Sequence, residues 1–254
     1  MGAPRTRRGS GGQGSSAEQA RPLYSEFGQY YEVLFGEPDM ACVDFVELAA
    51  PPPATLLDAG CGPGQYAAIL AQRGYAVVAC DREVHLLRAA GRRGAAASFV
   101  LADLRRLPFT ARFDVVLARG VLNDLVEPED LRETLGSVAA SLRGEGVFIA
   151  DVREREPHRL RIAAQPAVER SFGGIVFRAL RSIDDDGVIT SMERFKRAEV
   201  WSEPFIFRMR TFDEESVQDC WRQAGLRVLT TQRSYGSASA LTDRLVVVAK
   251  RTER

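Results

Sequence analysis

The chain has 254 residues, 45% of them hydrophobic, and its 34 basic side chains balance 34 acidic ones. That length and apolar content suffice for one large domain with a sizeable core. The neutral balance argues against a nucleic-acid or anionic-membrane partner, and no apolar run reaches the ~18 residues of a transmembrane helix.

The cysteines and histidines limit the metal and redox chemistry that the chain can perform. Four cysteines are scattered without a C-x-x-C pair, and there are only two histidines, His85 and His158. This usage is typical of a reducing cytoplasm, which is where we expect the protein. It predicts neither a disulfide framework nor a metal site.

Two segments precede the first predicted strand. Residues 1–20 are rich in Gly, Ser, Arg and Gln and have almost nothing to bury, so they are predicted to be a disordered tail. Residues 21–50 are predicted to form a helical lid, in which "YSEFGQYYEVLFG" brings aromatic side chains at near-helical spacing. "DMACVDFVELAA" then reads as an amphipathic helix with Ala41, Phe45 and Leu48 on its buried face.

Residues 51–155 alternate between strand and helix patterns. The strand patterns are "ATLLDAG", "YAVVACD", "ASFVLADL", "RFDVVLARG" and "GVFIADVRE". Helical patterns with short loops separate most of them. This alternation predicts an α/β fold with a parallel, doubly wound sheet.

The alternation stops after residue 155. Residues 156–210 are predicted to form an antiparallel insertion of about three strands, "SFGGIVFRALRSI", "GVITSMERFKRAEV" and "EPFIFRMR". Residues 211–254 are predicted to complete the core sheet, with a helix that starts at a capping box from Thr211 to Glu214. Two closing strands, "RVLTTQR" and "DRLVVVAK", follow that helix.

The loop "LLDAGCGPGQY" after the first strand has three glycines, Gly60, Gly62 and Gly64, and predicts close contact between backbone and ligand. A dinucleotide fingerprint would need a glycine where Gln65 stands, and there is no Walker G-K-[ST]. Asp58 ends the strand before the loop, where a carboxylate would repel a pyrophosphate. That carboxylate instead suits a ligand that carries an ammonium or a sulfonium group.

These segments together resemble the class I S-adenosylmethionine-dependent methyltransferases. The resemblance lies in "LLDAGCGPG", "VVACDRE", "VLADLRRLPF", "FDVVLARGVLNDL" and "LRGEGVFIADV", in the order and spacing of that family. It implies a Rossmann-like seven-stranded methyltransferase sheet. It also implies S-adenosylmethionine as the cofactor and S-adenosylhomocysteine as its product.

The resemblance carries over cofactor roles residue by residue. The implied cofactor-binding residues are Tyr24, Asp58, Ala59, Gly60, Gly62, Asp81, Arg82, Ala102, Asp103, Leu104, Arg119 and Gly120. Asp81 would accept both ribose hydroxyls, and Asp103 with Leu104 would hold the adenine. Arg119 and Gly120 would contact the methionine amine. An acid at the carboxyl end of a strand is also what an open α/β sheet offers to a ligand.

Methyl transfer from a sulfonium mainly needs alignment of the reactants and a site from which water is excluded. A general base is needed only where the nucleophile starts protonated. The candidates for catalytic roles are Tyr24 and Tyr31 in the lid and Asn123 and Asp124 after the fourth strand. The alternatives are an aromatic face packed on the sheet and a loop cap.

The insertion and the histidines add further candidates. In the insertion these are Phe177, Arg178, Glu193, Phe195 and Arg208, of which strand alternation allows only half to face a pocket. His158 follows the fifth strand, near where some family members have a catalytic histidine. A solvated histidine at the start of a helix is the interpretation we prefer for it, and His85 is assigned to a surface helix.

The lid and the insertion resemble those of small-molecule N-methyltransferases, including enzymes that act on amino sugars and antibiotic precursors. The predicted function is methylation of a small-molecule amine in antibiotic biosynthesis. Neither nucleic acid nor a membrane is expected as partner, and a homo-oligomer is compatible with the sequence. The alternatives are a small-molecule O-methyltransferase and a non-catalytic protein that binds the same cofactor.

Overall fold

The computed structural model describes residues 21–236, 239 and 243–252, so the predicted tail at residues 1–20 lies outside the described residues. The helices are α1 (Tyr31–Phe35), α2 (Met40–Ala49), α3 (Gln65–Gln72), α4 (Val84–Gly91), α5 (Pro128–Ser141), α6 (Arg155–Ala164) and α7 (Glu214–Gln223). The first seven strands are β1 (Thr55–Ala59), β2 (Ala76–Asp81), β3 (Ala97–Leu101), β4 (Phe113–Arg119), β5 (Leu142–Arg153), β6 (Ala167–Phe172) and β7 (Ile175–Ile183). The last five are β8 (Val188–Arg197), β9 (Val200–Trp201), β10 (Phe205–Arg210), β11 (Leu226–Arg233) and β12 (Arg244–Arg251).

Seven of the strands form one sheet in the order β11-β12-β5-β4-β1-β2-β3. Strands β1 to β5 are parallel, whereas β12 pairs antiparallel with both β5 and β11. Helices cover both faces, as the continuous apolar runs of the strands require. The predicted doubly wound methyltransferase sheet is therefore confirmed. Because its parallel strands share one direction, their carboxyl ends meet at a single edge.

The core consists of two apolar layers, one on each face of the sheet. On one face, Trp221 of α7 and Leu135 of α5 pack with Phe148 of β5. On the other face, Val46 of α2 and Leu70 of α3 lie in the second cluster. All five side chains are fully buried, so the sheet is a rigid base for groups at its edge.

Helix α2 forms where the sequence predicts it, but with a different buried face. Cys42, Val43 and Val46 are fully buried, whereas Leu48 is 84% exposed. The prediction of Ala41, Phe45 and Leu48 as the buried face is thus wrong for Leu48. Apolar residues occur around most of this helix, so periodicity alone could not decide which stripe meets the sheet.

The insertion is a five-stranded antiparallel sheet, two strands more than predicted. Its strand order is β10-β8-β7-β6, with β9 paired to β8. One additional strand, β6, lies mostly before "SFGGIVFRALRSI" and pairs with β7 in a hairpin around Gly173 and Gly174. The other is the short β9. Both glycines have positive φ, 51° and 77°, which is what a tight two-residue hairpin turn demands.

The inner face of the insertion sheet packs against the N-terminal segment. Leu23 and Leu34 form an apolar cluster with Phe177 and Phe195, and Phe27 stacks on Phe195 with ring centroids 3.7 Å apart. This places residues 21–35 between the insertion and the carboxyl edge of the core sheet.

Two further local features complete the fold. Helix α7 is capped by Asp213, which accepts a hydrogen bond from Ser216 N at 2.8 Å while the Ser216 side chain bonds back. The predicted capping box from Thr211 to Glu214 is therefore displaced by two residues. No helix within the described parts of the chain is long and apolar enough to cross a membrane.

Candidate active site

An open cavity lies at the carboxyl edge of the core sheet, beneath the N-terminal segment. The sequence-predicted residues that line it are Tyr24, Tyr31, Gly60, Gly62, Asp81, Arg82, Ala102, Asp103, Leu104, Arg119, Gly120 and Asp124. They come from the ends of β1 to β4 and from the lid. Asp58, Ala59 and Asn123 are buried beside the cavity without lining it.

The glycine loop after β1 packs tightly on one side and is open on the other. A Cβ on Gly60 would lie 2.6 Å from a Val121 methyl, and one on Gly64 would lie 2.7 Å from Ala90 Cβ. At Gly62 the nearest atoms are those of the Tyr31 ring, at 3.9 Å. All three glycines have positive φ. The loop therefore offers bare backbone to the cavity at Gly62 while Gly60 and Gly64 allow close packing.

Asp81 at the end of β2 is held in a fixed orientation by backbone donors. Its Oδ2 accepts from Gly62 N at 2.8 Å and its Oδ1 from Glu83 N at 2.9 Å. Each oxygen retains a lone pair that can accept a further hydrogen bond from a ligand hydroxyl. Burial raises the pKa of this carboxyl, and the two backbone hydrogen bonds oppose that shift.

Asp58 lies in the interior next to the glycine loop rather than in the cavity. It is 3% exposed, and its Oδ2 has no hydrogen-bond partner among the described residues. Burial, with a further contribution from Asp81, raises the pKa of Asp58 to about 7. The neighbouring Ala59 is fully buried. An unpartnered buried carboxylate oxygen beside the loop suits a nearby cationic group.

Asp103 is engaged by an arginine that the sequence analysis did not single out. The Arg105 guanidinium donates hydrogen bonds to this carboxylate, with Nη2 2.6 Å from Oδ2, and also to the Asp130 carboxylate at 2.9 Å. These hydrogen bonds lower the pKa of Asp103. The two-residue spacing between Asp103 and Arg105 is the only signal the sequence offered. The pair fixes the carboxylate at the cavity wall.

Tyr24 and Asp124 meet at the part of the cavity that the N-terminal segment closes. The Tyr24 hydroxyl donates to Asp124 Oδ2 at 3.0 Å and accepts from Arg21 Nη1 at 3.1 Å. Burial raises the pKa of Asp124 to about 6, against the opposing effect of the Arg21 charge. Tyr31 lies beside Tyr24, with ring centroids 6.1 Å apart. This polar cluster borders the cavity and can bind or deprotonate an acceptor group.

Asn123 does not take part in this cluster. It is fully buried, and its Nδ2 donates to the Arg210 carbonyl at 2.8 Å. The expectation that it orients the acceptor together with Asp124 is thus not met, because neighbouring residues in this short 3₁₀ turn point apart. Its hydrogen bond instead ties the loop after β4 to strand β10.

A buried ion pair holds the N-terminal segment to the insertion. Arg21 Nε donates to Glu193 Oε2 at 2.8 Å, Arg21 Nη2 bonds Glu193 Oε1, and Ser191 also donates to that oxygen at 3.0 Å. Arg21 is 6% exposed and Glu193 1%, and the guanidinium lies 4.1 Å from the Phe207 ring centroid. Sequence reasoning missed Arg21, since its partner lies 172 residues away and no local pattern marks it.

The five candidate residues in the insertion lie on opposite faces of its sheet, as the alternation of side chains along a strand requires. Phe177, Glu193 and Phe195 are buried on the inner face, whereas Arg178 and Arg208 are exposed on the outer one. Among these five residues, only the inward-facing three contribute to the side that meets the lid.

Arg119 and Gly120 are positioned by a buried acid on the neighbouring strand. Asp151 of β5 is fully buried and accepts from Gly120 N at 3.0 Å, from Tyr235 Oη at 2.8 Å and from Arg244 Nη1 at 2.5 Å. The Arg119 guanidinium lies 4.5 Å from the Tyr66 ring centroid. Both predicted residues therefore have a defined place at the edge of β4.

His158 is buried, in contrast to the solvated helix-start position that we expected. It is 1% exposed, and its Nδ1 is 3.1 Å from the Glu154 carbonyl. Its Nε2 lies 2.8 Å from Arg153 Nη1 and 2.7 Å from Arg161 Nη2. Burial, followed by the Arg153 charge, lowers the pKa of His158 to about 3. The ring is therefore neutral and accepts hydrogen bonds from the two guanidinium groups.

His85 is exposed on α4, as expected. Within the described ranges, no group of three or more His, Cys, Asp or Glu side chains is arranged to hold a metal ion.

Comparisons with known proteins agree with this geometry. A family model described as a methyltransferase domain matches residues 57–150. YqeM of Bacillus subtilis, which carries the name of a methyltransferase, is 25% identical over 91% of this chain and 98% of its own length. A malonyl-[acyl-carrier protein] O-methyltransferase of Pseudescherichia vulneris is 43% identical over 77 residues, which are 29% of this chain and 31% of that protein.

Among solved structures, the sugar N-methyltransferase KedS8 from Streptoalloteichus has a similar fold. The two chains superpose with a TM-score of 0.71 at 16% identity, over 100% of this chain and 99% of the other. At that identity the likeness concerns the fold.

The sheet order, the glycine loop with its following acids and the matching family model lead to one conclusion. The chain is a class I S-adenosylmethionine-dependent methyltransferase, and S-adenosylmethionine is its cofactor.

Proposed function

We propose that this enzyme methylates the nitrogen of a small-molecule amine in the biosynthesis of an antibiotic-type secondary metabolite. The observation that carries the proposal is the hydrogen-bonded pair of Tyr24 and Asp124 on the cavity wall. The fold likeness to KedS8, which is named as a sugar N-methyltransferase, supports the choice of an amine.

The cofactor site is proposed from the groups that remain free in the cavity. The fixed carboxylate of Asp81 would accept the ribose hydroxyls, because each of its oxygens has one lone pair to spare. The wall formed by Ala102, Asp103 and Leu104 would hold the adenine. The open backbone at Gly62 would lie against the methionine part of the cofactor.

Four further residues would contact the cofactor, three of them at its charged end. The Arg119 guanidinium lines the cavity and would bind the carboxylate of the cofactor, and Gly120 would lie beside that carboxylate. The unpartnered oxygen of Asp58, behind the loop, would favour a cationic amino group nearby. Arg82 would flank the adenosine at the cavity rim.

The bound cofactor supplies a methyl group already activated on a sulfonium. An alkylamine is mostly protonated at neutral pH, and the ammonium must lose a proton to free the lone pair that would form the new N–C bond. The electron pair of the broken S–C bond would stay on the cofactor's sulfur, which would become a thioether. At neutral pH Asp124 is ionised, since its pKa is about 6, so it would hold an ammonium and accept that proton. Tyr24 would orient the carboxylate, and Tyr31 would help to exclude water.

O-Methylation is the second candidate function. The O-methyltransferase that acts on malonyl-[acyl-carrier protein] is 43% identical over its 77 aligned residues, and a carboxylate base can equally activate a hydroxyl group. Turnover of either kind of acceptor would exclude the non-catalytic alternative that the sequence left open.

The experiment compares matched amines and alcohols as acceptors and measures release of S-adenosylhomocysteine. We expect an N-methylated product from the wild type. Tyr24→Phe should turn over more slowly while it retains its affinity for the cofactor. Exclusive O-methylation would contradict the amine proposal. Tight cofactor binding without turnover on either panel would favour the non-catalytic alternative.

A further inference from the structure

Two guanidinium groups lie without a carboxylate partner between the core edge and the insertion sheet. Arg153 ends β5 and Arg181 lies on the inner face of β7. Across the described parts of the chain, neither forms a salt bridge. The Nε atom of each is buried without a hydrogen-bond acceptor. Both side chains are nevertheless partly exposed, so a ligand can approach them.

The acids in this region already have partners. Both oxygens of Glu193 are bonded by Arg21, Asp124 is bonded by Tyr24, and Asp243 pairs with Arg161. Arg181 makes no side-chain hydrogen bond with any residue in the described ranges, and its pKa is lowered, first by burial.

Arg153 has one side-chain partner in the same ranges, and that partner is uncharged. Its Nη1 donates to Nε2 of the neutral His158 at 2.8 Å. Burial lowers the pKa of Arg153 to about 9, with further contributions from the charges of Arg244 and Arg181. The histidine thus orients this guanidinium without neutralising it.

A guanidinium without a carboxylate hydrogen bond in such a half-buried place is unfavourable, and an apolar side chain of similar size would be tolerated at least as well. A guanidinium offers five N–H donors in a planar fork that matches a carboxylate or a phosphate. Neither arginine lines the cavity itself, but both lie one step behind residues that do. Arg181 pairs across the insertion sheet with Ser191, which bonds Glu193, the partner of the cavity-lining Arg21. Arg153 pairs with Arg244, whose guanidinium lies 3.7 Å from the position of a Cβ on the cavity-lining Gly120. Their arrangement is that of a receptor for an oxyanion.

We propose that the acceptor carries an anionic group, a carboxylate or a phosphate, which binds between Arg153 and Arg181. The inference rests on the proposed function, because it places the reacting amine at Asp124 and the anionic group behind it. The substrate class that follows is an amine with an acidic substituent, such as an amino acid or a phosphorylated amino compound.

The test is isothermal titration of the enzyme loaded with S-adenosylhomocysteine, using sodium propionate and inorganic phosphate as separate probes at constant ionic strength. We expect saturable binding of at least one probe with a Kd on the order of 1 mM or tighter. Arg153→Met and Arg181→Met should each weaken it at least tenfold. Arg178→Met is the matched control, since Arg178 lies on the outer face of β7 and pairs with Glu169.

Unfolding of the unliganded variants provides a second readout. Arg181→Met should leave the melting temperature unchanged or raise it, because it removes a charged group whose Nε is buried without an acceptor. If Arg181 had a structural role instead, the variant would melt at a lower temperature. No saturable binding to the wild type, or equal binding to all variants, would overturn the proposal. Amine methylation without anion binding would reject this inference alone, whereas anion binding with exclusive O-methylation would reject only the amine proposal.

Discussion

Buried carboxylates with raised pKa values flank the cavity, and their surroundings give them different roles. Asp124 lines the cavity and bonds to a tyrosine, so it can exchange a proton with a ligand. Asp58 is enclosed beside the glycine loop with one oxygen unpartnered. Burial is the main cause of both shifts, since it disfavours the charged form.

Asp124→Asn should lower kcat by about 10²–10⁴-fold, the contribution that a positioned base typically makes. In the wild type, turnover should rise as the pH passes upward through about 6, because only the ionised carboxylate accepts a proton. The variant should lose this limb of the pH profile. Steady-state kinetics from pH 5 to 8 measure both effects, and an unchanged profile in the variant would rule out Asp124 as the base.

Asp58→Asn should stabilise the protein without cofactor and weaken cofactor binding. Because the pKa of Asp58 is raised from 3.8 to about 7 on folding, its protonated form stabilises the fold below pH 4, and that stability is lost as the pH rises through 7. The variant should gain on the order of 2 kcal/mol in unfolding free energy at pH 8. It should gain almost nothing at pH 4. Urea unfolding at the two pH values checks this, and equal gains at both would contradict it.

The N-terminal segment is the element that closes the site, and it depends on one buried ion pair. Arg21 bonds Glu193 on β8 while Leu23 and Leu34 fill the apolar cluster beneath the insertion sheet. Arg170 of β6 also donates to the Leu34 carbonyl. The lid is thus docked on the insertion, so the two elements together shape the acceptor end.

Glu193→Gln should destabilise the protein by about 3–5 kcal/mol, because it leaves the Arg21 charge buried without its partner. Residues 21–36 should become sensitive to limited proteolysis. Glu169→Gln is the matched control, since its pair with Arg178 is about half exposed and worth at most about 1 kcal/mol. Similar losses in the two variants, measured by urea unfolding, would show that the buried pair has no special role.

At the scale of elements, the sequence predicted what local patterns encode and missed what depends on distant partners. The hairpin at Gly173–Gly174 was missed because most of its first strand, Ala167–Phe172, is polar and precedes the predicted β-type run. The two glycines mark the turn. Burial of His158 could not be foreseen, because it depends on how α6 packs against β7 of the insertion. The two arginines that bond it, Arg153 and Arg161, are close to it in sequence but look like part of a solvated charge run until α6 is packed.

For the molecule as a whole, the sheet order explains why the cavity residues could be named in advance. Parallel strands bring their carboxyl ends to one edge, so Asp81, Asp103 and Arg119 converge although they span nearly forty residues. The same reasoning placed Asn123 at the acceptor site, but this residue points into the protein interior, because a residue that follows a strand end can turn inward. The sequence therefore predicted the cavity lining at the strand ends better than the part of the cavity that the lid and the insertion build jointly.

Calorimetric titration with S-adenosylmethionine shows whether this cavity binds the cofactor through Asp81. We expect one site per chain in the wild type and in the control Asp44→Ala, in which the replaced side chain is 67% exposed. Asp81→Ala should bind with a free energy weaker by more than about 1.5 kcal/mol, slightly over tenfold in Kd, through loss of charge-assisted hydrogen bonds. Unchanged affinity in a folded Asp81→Ala variant would contradict this role of Asp81.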